Sequence, residues 1–213
     1  MLDKPFSSAC ERNQGPIEYV LQSLIMAGER VLEVGSGTGQ HGVYIAARRP
    51  DLIWQTSDRG ERLQGLRQWV TEAGFSNLPA PLELDLTDWP EILEKFNTVF
   101  AANVVHYIPR PLVSRLIQVM SNSARSDGQL IFYGPFNEQG FTSAGNAALD
   151  VWLKRDVAPD AGIWEQDDFL GLLLGFGWSL HAHHSMPSNN RILSFRRDDV
   201  LEEETHSHQE GVG

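Results

Sequence analysis

The chain is poor in the residues that several kinds of site require. Its 213 residues include one cysteine, Cys10. No internal disulfide can form, and a cysteine-based zinc site or a multi-cysteine iron–sulfur cluster is excluded. Basic residues are also scarce: 17 Lys and Arg stand against 28 Asp and Glu, a net charge of −11 with no basic run. That is the wrong balance for the electrostatic footprint of nucleic-acid binding. No apolar run approaches the ~20 residues of a membrane span, and the longest candidate, residues 169–180, is interrupted by three glycines. The N-terminus carries no apolar signal core. These absences lead us to expect a soluble, cytoplasmic protein of a reducing compartment, with neither a membrane nor a nucleic acid as partner.

What is present is ordinary in bulk, with 41% hydrophobic and 21% charged residues. The length suits one domain with a core that needs no staples. The acid excess is concentrated at one end. Asp198, Asp199, Glu202, Glu203, Glu204 and Glu210 follow the last arginine, so residues 1–197 hold 22 acids against 17 bases, a net of −5. Residues 1–197 are expected to form one domain, and residues 198–213 a disordered acidic tail.

Periodicity supplies the architecture. Ile17, Val20, Leu21, Leu24 and Ile25 share one helical face over residues 16–26, with Pro16 suited to the first turn. A short apolar run, 30–34, ends in glycines; a helix over 43–48 and a strand over 52–56 follow. Leu63, Leu66, Trp69 and Val70 form another helical stripe, closed by Gly74. Strands are predicted at 82–84, 98–105 and 129–133, with a helix through Leu112, Val113, Leu116, Ile117 and Met120 between the last two. Such alternation specifies an α/β fold with a mostly parallel sheet. After a helix near 169–174, the runs 178–184 and 192–196 flank the turn-rich segment 185–190 and should pair as an antiparallel hairpin.

Residues 31–42 read VLEVGSGTGQHG. A strand that ends in glycines lets a ligand approach the backbone, and the following helix offers free N–H groups. Two registers fit. One is Glu33-x-Gly35-x-Gly37-x-Gly39, the arrangement of S-adenosylmethionine-dependent methyltransferases; the other is Gly37-x-Gly39-x-x-Gly42, the dinucleotide fingerprint. Asp58 ends the second strand 21 positions after Gly37, where a carboxylate can accept both ribose hydroxyl protons of either cofactor. Asp85 follows the third strand, either beside an adenine amino group or as a turn acid. Glu33 lies within the first strand and needs a partner, which the loop or the ligand can supply. The dinucleotide register leaves Gly35 inside a strand, where glycine weakens pairing. No tyrosine is followed four residues later by lysine, the usual hydride-transfer pair. The methyltransferase register is therefore the better reading, and Ser36, Leu86 and Asn103 join its cofactor-side candidates.

The segments PFSSACERNQGPI (5–17), VLEVGSGTGQH (31–41), WQTSD (54–58), ANVVHYIP (102–109), YGPFNEQGFTSAGN (133–146) and MPSNN (186–190) occur in order along residues 5–197. Together they resemble the domain-of-unknown-function 938 family, also called methyltransferase-like 26. The resemblance implies a class I methyltransferase, a Rossmann-like three-layer sandwich with a seven-stranded sheet, and S-adenosylmethionine as cofactor. It implies no substrate. This chain departs from the family's usual pattern at Arg110, where tryptophan is common, and at Gly145, where serine is common.

Acceptor chemistry should lie after the fourth and fifth strands. Asn103 and His106 follow the fourth, and His106 can act as a base near neutral pH or simply close a strand end. Tyr133 and Asn137 follow the fifth and begin an excursion, 137–163, expected to form a substrate-side lid. Thr142 or Ser143 can cap a helix there running to about Arg155. Asn146 and Asp150, four apart, share one face of it, towards either the pocket or solvent. The polar segment 7–13 reads either as a solvated leader or as a flap over the cofactor with Arg12 on its carboxylate. The pairs His183–His184 and His206-x-His208 do not read as metal sites, and no metal is expected. The function expected is methyl transfer to a small molecule, with His106 and Tyr133 as catalytic candidates. An NAD(P)-dependent oxidoreductase and a non-catalytic S-adenosylmethionine-binding protein are the alternatives.

Overall fold

The structure is a computed structural model that describes residues 4–88 and 94–197. The expected acidic tail lies outside the described residues. The chain begins with α1 (Ser8–Leu24) and then alternates β1 (Arg30–Val34), α2 (Gln40–Arg48), β2 (Ile53–Asp58), α3 (Leu63–Ala73) and β3 (Leu82–Glu83). It continues through β4 (Phe96–Ala102), α4 (Arg110–Ser123), β5 (Ala124–Asn137) and α5 (Ala144–Asp156). The last elements are β6 (Trp164–Glu165), α6 (Gln166–Gly175), β7 (Trp178–Ser185) and β8 (Asn190–Arg197).

Seven strands stand in the order β3-β2-β1-β4-β5-β8-β7, and β6 pairs with the far end of β5. All neighbours are parallel except β8, which runs antiparallel to both β5 and β7. This is the α/β fold with antiparallel C-terminal pairing that the sequence predicts. Strand pleating divides the side chains between two layers. Val31, Trp54, Phe100 and Ile131 pack under Ile17, Leu21, Ile45, Leu66 and Val70 from α1, α2 and α3. On the opposite face Leu32, Val99, Phe132 and Phe195 meet Val113, Ile117 and Met120 of α4 and Phe169 and Leu173 of α6. Among the described residues no helix is long and apolar enough to cross a membrane.

The differences from expectation have local causes. Helix α1 starts at Ser8 rather than at Pro16, with Ser7 as N-cap accepting from the Cys10 N–H at 3.3 Å. Its first two turns carry no apolar stripe, so periodicity missed them, and residues 8–13 of the segment read as either a leader or a flap are helical. Pro16 lies inside the helix instead of opening it. Strand β4 stops at Ala102 rather than at 105, because Asn103 takes a left-handed φ of 57°. Strand β5 extends well beyond the predicted 129–133. Its Pro135 is tolerated because pairing with β4 has already ended at Tyr133, so no ladder bond needs the missing N–H. Strand β6 has two residues, too few to show alternation.

Gln129 shows how the buried polar groups are satisfied. Its amide donates to the Leu24 carbonyl at 2.6 Å and to Thr98 Oγ1 at 3.0 Å, and accepts from Ser194 Oγ at 3.1 Å. One side chain thus ties the end of α1 to three adjacent strands. Gln129→Leu orphans these groups, and we expect a loss of about 2 kcal/mol in stability, read as a lower urea midpoint. An unchanged midpoint would refute this role.

Candidate functional site

Strand order reverses between β1 and β4, whose following helices leave towards opposite sides of the sheet. Such a switch point opens a crevice at the carboxyl ends of the strands. The glycine loop fills one side of it. Gly35 lies outside β1 with φ 72°, and a Cβ there would come within 2.7 Å of the Val104 side chain across the crevice. Gly37 (φ 59°) faces open space, whereas Gly39 (φ 90°) lets Leu66 of α3 approach so closely that a Cβ would meet it at 2.5 Å. Gly42 allows α2 to lie on the sheet, since a Cβ would meet Thr56 at 2.6 Å. This packing role of Gly42 suits either register. Gly35 belongs to the loop, as the methyltransferase register requires.

Three predicted cofactor-side residues hold this loop. Asp58 Oδ2 accepts from the Gly37 N–H at 2.7 Å and Oδ1 from the Arg59 N–H at 2.9 Å. Burial nevertheless raises its carboxyl, against those N–H groups and the charges of Arg62 and Arg59. Ser36 joins the loop to β2, its hydroxyl accepting from the Ser57 N–H at 3.1 Å. Glu33 is buried beneath α2, its Oε2 accepting from the Trp54 indole at 3.0 Å. Its Oε1 has no hydrogen-bond partner and stands 3.7 Å from His41 Nδ1, too far for a hydrogen bond. Desolvation raises the Glu33 carboxyl to about 7, and burial lowers His41 to about 4.

Sequence reasoning missed the clamp that sets α1 on this loop. Gln40 Oε1 accepts from the Ser7 N–H at 2.6 Å and from the Thr38 hydroxyl at 2.9 Å, and its amide donates to the Ser7 carbonyl at 3.2 Å. His41 Nε2 lies 2.7 Å from Asn13 Oδ1, which assigns the proton to Nε2. Asn13 also hydrogen-bonds the Tyr133 side chain, whose phenol burial pushes up. A chain of polar contacts therefore runs from β5 through α1 and α2 to the edge of Glu33. Gln40 and His41 follow the glycines directly; two polar residues in a buried first helical turn are the signal that could have found them. Arg12 does not take part. It is exposed on α1, with no side-chain contact assigned to it.

The remaining cofactor-side candidates lie further along the same edge. Asp85 Oδ1 accepts from the Thr87 N–H at 2.8 Å and the Thr87 hydroxyl at 2.7 Å, and these bonds lower its carboxyl. This oxygen makes the turn contact, so the turn-acid reading describes its local role. Leu86 packs partly buried on the α4 layer. Asn103 is in strained left-handed backbone, its N–H donating to the Tyr133 carbonyl at 2.7 Å.

On the acceptor side, His106 is buried against the backbone of Gly134, where a Cβ would stand 3.4 Å from its ring and 3.7 Å from Asn103 Oδ1. Desolvation lowers its imidazole to about 3. It is therefore neutral at physiological pH rather than poised near 7. Asn137, Asn146 and Asp150 all come out buried and share the excursion, but they brace it. Asn137 Oδ1 accepts from Asn146 Nδ2 at 3.1 Å; Asp150 Oδ1 accepts from the Ile163 N–H at 2.9 Å and Oδ2 pairs with Lys154. The expected cap is Ser143, which accepts from the Asn146 N–H at 3.0 Å. Arg110 lies 4.5 Å over the Trp164 ring and donates to the Ile163 carbonyl at 3.3 Å, fastening the excursion's end.

With this geometry in place, comparison with known proteins is informative. A profile of the family described as protein of unknown function (DUF938) matches residues 4–197. The chain belongs to the DUF938 family. The mitomycin 7-O-methyltransferase MmcR superposes with a TM-score of 0.77 at 17% identity, covering 90% of this chain and 55% of that one. Sterol methyltransferase-like 1 of Botryococcus braunii is 19% identical over 173 residues, 80% of this chain and 43% of its own length. Ribosomal RNA small subunit methyltransferase G of Serratia proteamaculans is 30% identical over 100 residues, 42% of this chain and 48% of that protein. This DUF938 chain spans about half the length of the proteins it matches. At these identities the superposition establishes the class I methyltransferase fold.

The buried carboxyl generates a prediction. Because the Glu33 pKa is raised in the folded protein, its neutral form stabilises the fold below about pH 4.5, and that contribution is lost as pH rises through about 7. In Glu33→Gln the loss disappears, so stability relative to wild type should rise between about pH 5 and about pH 8, measured by urea midpoints. His106 titrates in both proteins and cancels in the difference, and repeating the comparison in a His41→Gln background removes the neighbouring imidazole, 3.7 Å from Glu33. A difference that stays constant with pH would mean that Glu33 does not titrate in this range.

Proposed function

We propose that this DUF938 chain is an S-adenosylmethionine-dependent methyltransferase acting on a small-molecule acceptor. The observation that carries the proposal is the pairing of the Asp58 carboxylate with the Gly37 N–H at the mouth of the switch-point crevice. A carboxylate fixed there can accept from two ribose hydroxyls while the glycine loop leaves room for the ligand. Three further features fit the same ligand. Gly37 faces open space, Glu33 Oε1 is a buried acceptor without a donor, and the methyltransferase register places Gly35 in the loop. A cationic amino group is the kind of donor that a half-paired carboxyl accepts.

Gly35, Gly37 and Gly39 would shape the cofactor's bed, Asp58 would hold its ribose, Asp85 and Leu86 would flank its adenine, and Glu33, Ser36 and Asn103 would line the amino-acid end. When bound, S-adenosylmethionine would supply an electrophilic methyl for in-line displacement. The chain's contribution to such a reaction is chiefly positioning. His106, neutral and buried, can orient an acceptor through a hydrogen bond but is a weak base, which favours acceptors that lose a proton readily or need not lose one. Tyr133 is held by Asn13 and closes the floor beside it. Residues 137–163 would form the lid over this side. The net charge of −5 over residues 1–197 supports a small molecule over ribosomal RNA, the target named for one relative.

Isothermal titration calorimetry tests the reading. S-adenosylmethionine and S-adenosylhomocysteine should bind and NAD should not; Asp58→Ala should weaken both by about 1–3 kcal/mol through loss of charge-assisted hydrogen bonds. Binding of NAD in their place, or an affinity indifferent to Asp58, would overturn it.

A further inference from the structure

We propose that Tyr107 and Trp152 form a recognition site for a planar aromatic acceptor bearing a hydroxyl group at the mouth of the crevice. This rests on the methyltransferase reading and names the substrate class for it. Both rings are large, yet they remain 41% and 39% exposed. They come from separate elements, Tyr107 from the loop between β4 and α4 and Trp152 from α5, and meet edge to face with centroids 6.1 Å apart. Such a pair leaves the faces of one ring free to stack on a planar guest.

Position ties the pair to the crevice. The Tyr107 ring rests 4.9 Å from that of His106, which lies against Gly134 and Asn103 at the carboxyl edge of the sheet. Its phenol is pushed up by burial, while its electrostatic partners are Arg62, at the start of α3, and Cys10, on α1. Tyr107 therefore reaches from the β4 side of the crevice towards the elements that carry the glycine loop and Asp58. Trp152 is held opposite by the buried face of its own helix, Asn146, Asp150 and Leu153. The Gly162 N–H donates to the His106 carbonyl at 3.2 Å, locking the excursion to the loop that presents Tyr107. The pair is thus a fixed feature of the acceptor side. The Arg62 charge acts on the Tyr107 phenol, which suits an electron-rich aromatic whose hydroxyl carries partial negative charge. A weakly basic His106 suits the same guest, since an aromatic hydroxyl is far more acidic than an aliphatic one.

The test uses the full chain saturated with S-adenosylhomocysteine and two probes of equal size, 2-naphthol and decahydro-2-naphthol, titrated by calorimetry. We expect 2-naphthol to bind at least about tenfold more tightly, close to 1.4 kcal/mol. Tyr107→Leu and Trp152→Leu should each reduce that preference to about threefold or less, while Tyr107→Phe keeps it. The rise in melting temperature on adding S-adenosylhomocysteine shows that each variant is folded. Equal affinity for the two probes, no binding of 2-naphthol, or a preference that survives both leucine variants overturns the aromatic site while leaving the methyltransferase reading intact. Failure of S-adenosylhomocysteine itself to bind overturns both.

Discussion

A carboxyl group placed where water cannot reach it governs the layout of this protein. Glu33 sits in β1, under the first turn of α2, with one oxygen satisfied by Trp54 and the other by nothing. A charge there is costly, so the surroundings must keep the group neutral or supply a cation. His41, 3.7 Å from the free oxygen, is itself buried and neutral, and it is oriented by Asn13. Asn13 in turn holds Tyr133. The His41–Asn13–Tyr133 contacts join α2, α1 and β5 beside this oxygen, which is left as an acceptor for a donor such as a ligand's amino group.

The two sides of the crevice are built on different principles. On the cofactor side, backbone does most of the work: glycines remove bulk, and N–H groups meet Asp58. On the acceptor side, buried amides and carboxylates are spent on bracing the excursion, and aromatic rings face outward. The first design suits a ligand shared by many enzymes. The second leaves a few exposed side chains on a rigid frame, the kind of position where loop variation costs the core little.

The sequence made the sheet and the loop readable because both depend on local rules. Alternating strand and helix periods gave the parallel sheet, the late pair of runs gave its antiparallel end, and Gly35 was placed in the loop by its cost within a strand. Ser143 was legible as a cap for the same reason. What escaped depends on contacts between distant residues. The first turns of α1 have no apolar stripe, since they lie on the polar glycine loop rather than on the core. Asn146 and Asp150 were correctly placed on one face, but helical spacing cannot tell a pocket from the excursion's own backbone. His106 was open between a base near neutrality and a residue closing a strand end, because a pKa is set by surroundings that periodicity does not report.

Pro16 divides α1 into two unlike halves. Beyond it, Ile17, Leu21 and Ile25 are sunk in the core; before it, Ser7 and Asn13 meet α2 and β5 through hydrogen bonds. A proline inside a helix removes one backbone bond, here the one owed to the Arg12 carbonyl, so the weak point of the helix falls where anchored and resting halves meet. The helix therefore joins a half packed in the core to a half held beside the glycine loop by polar contacts.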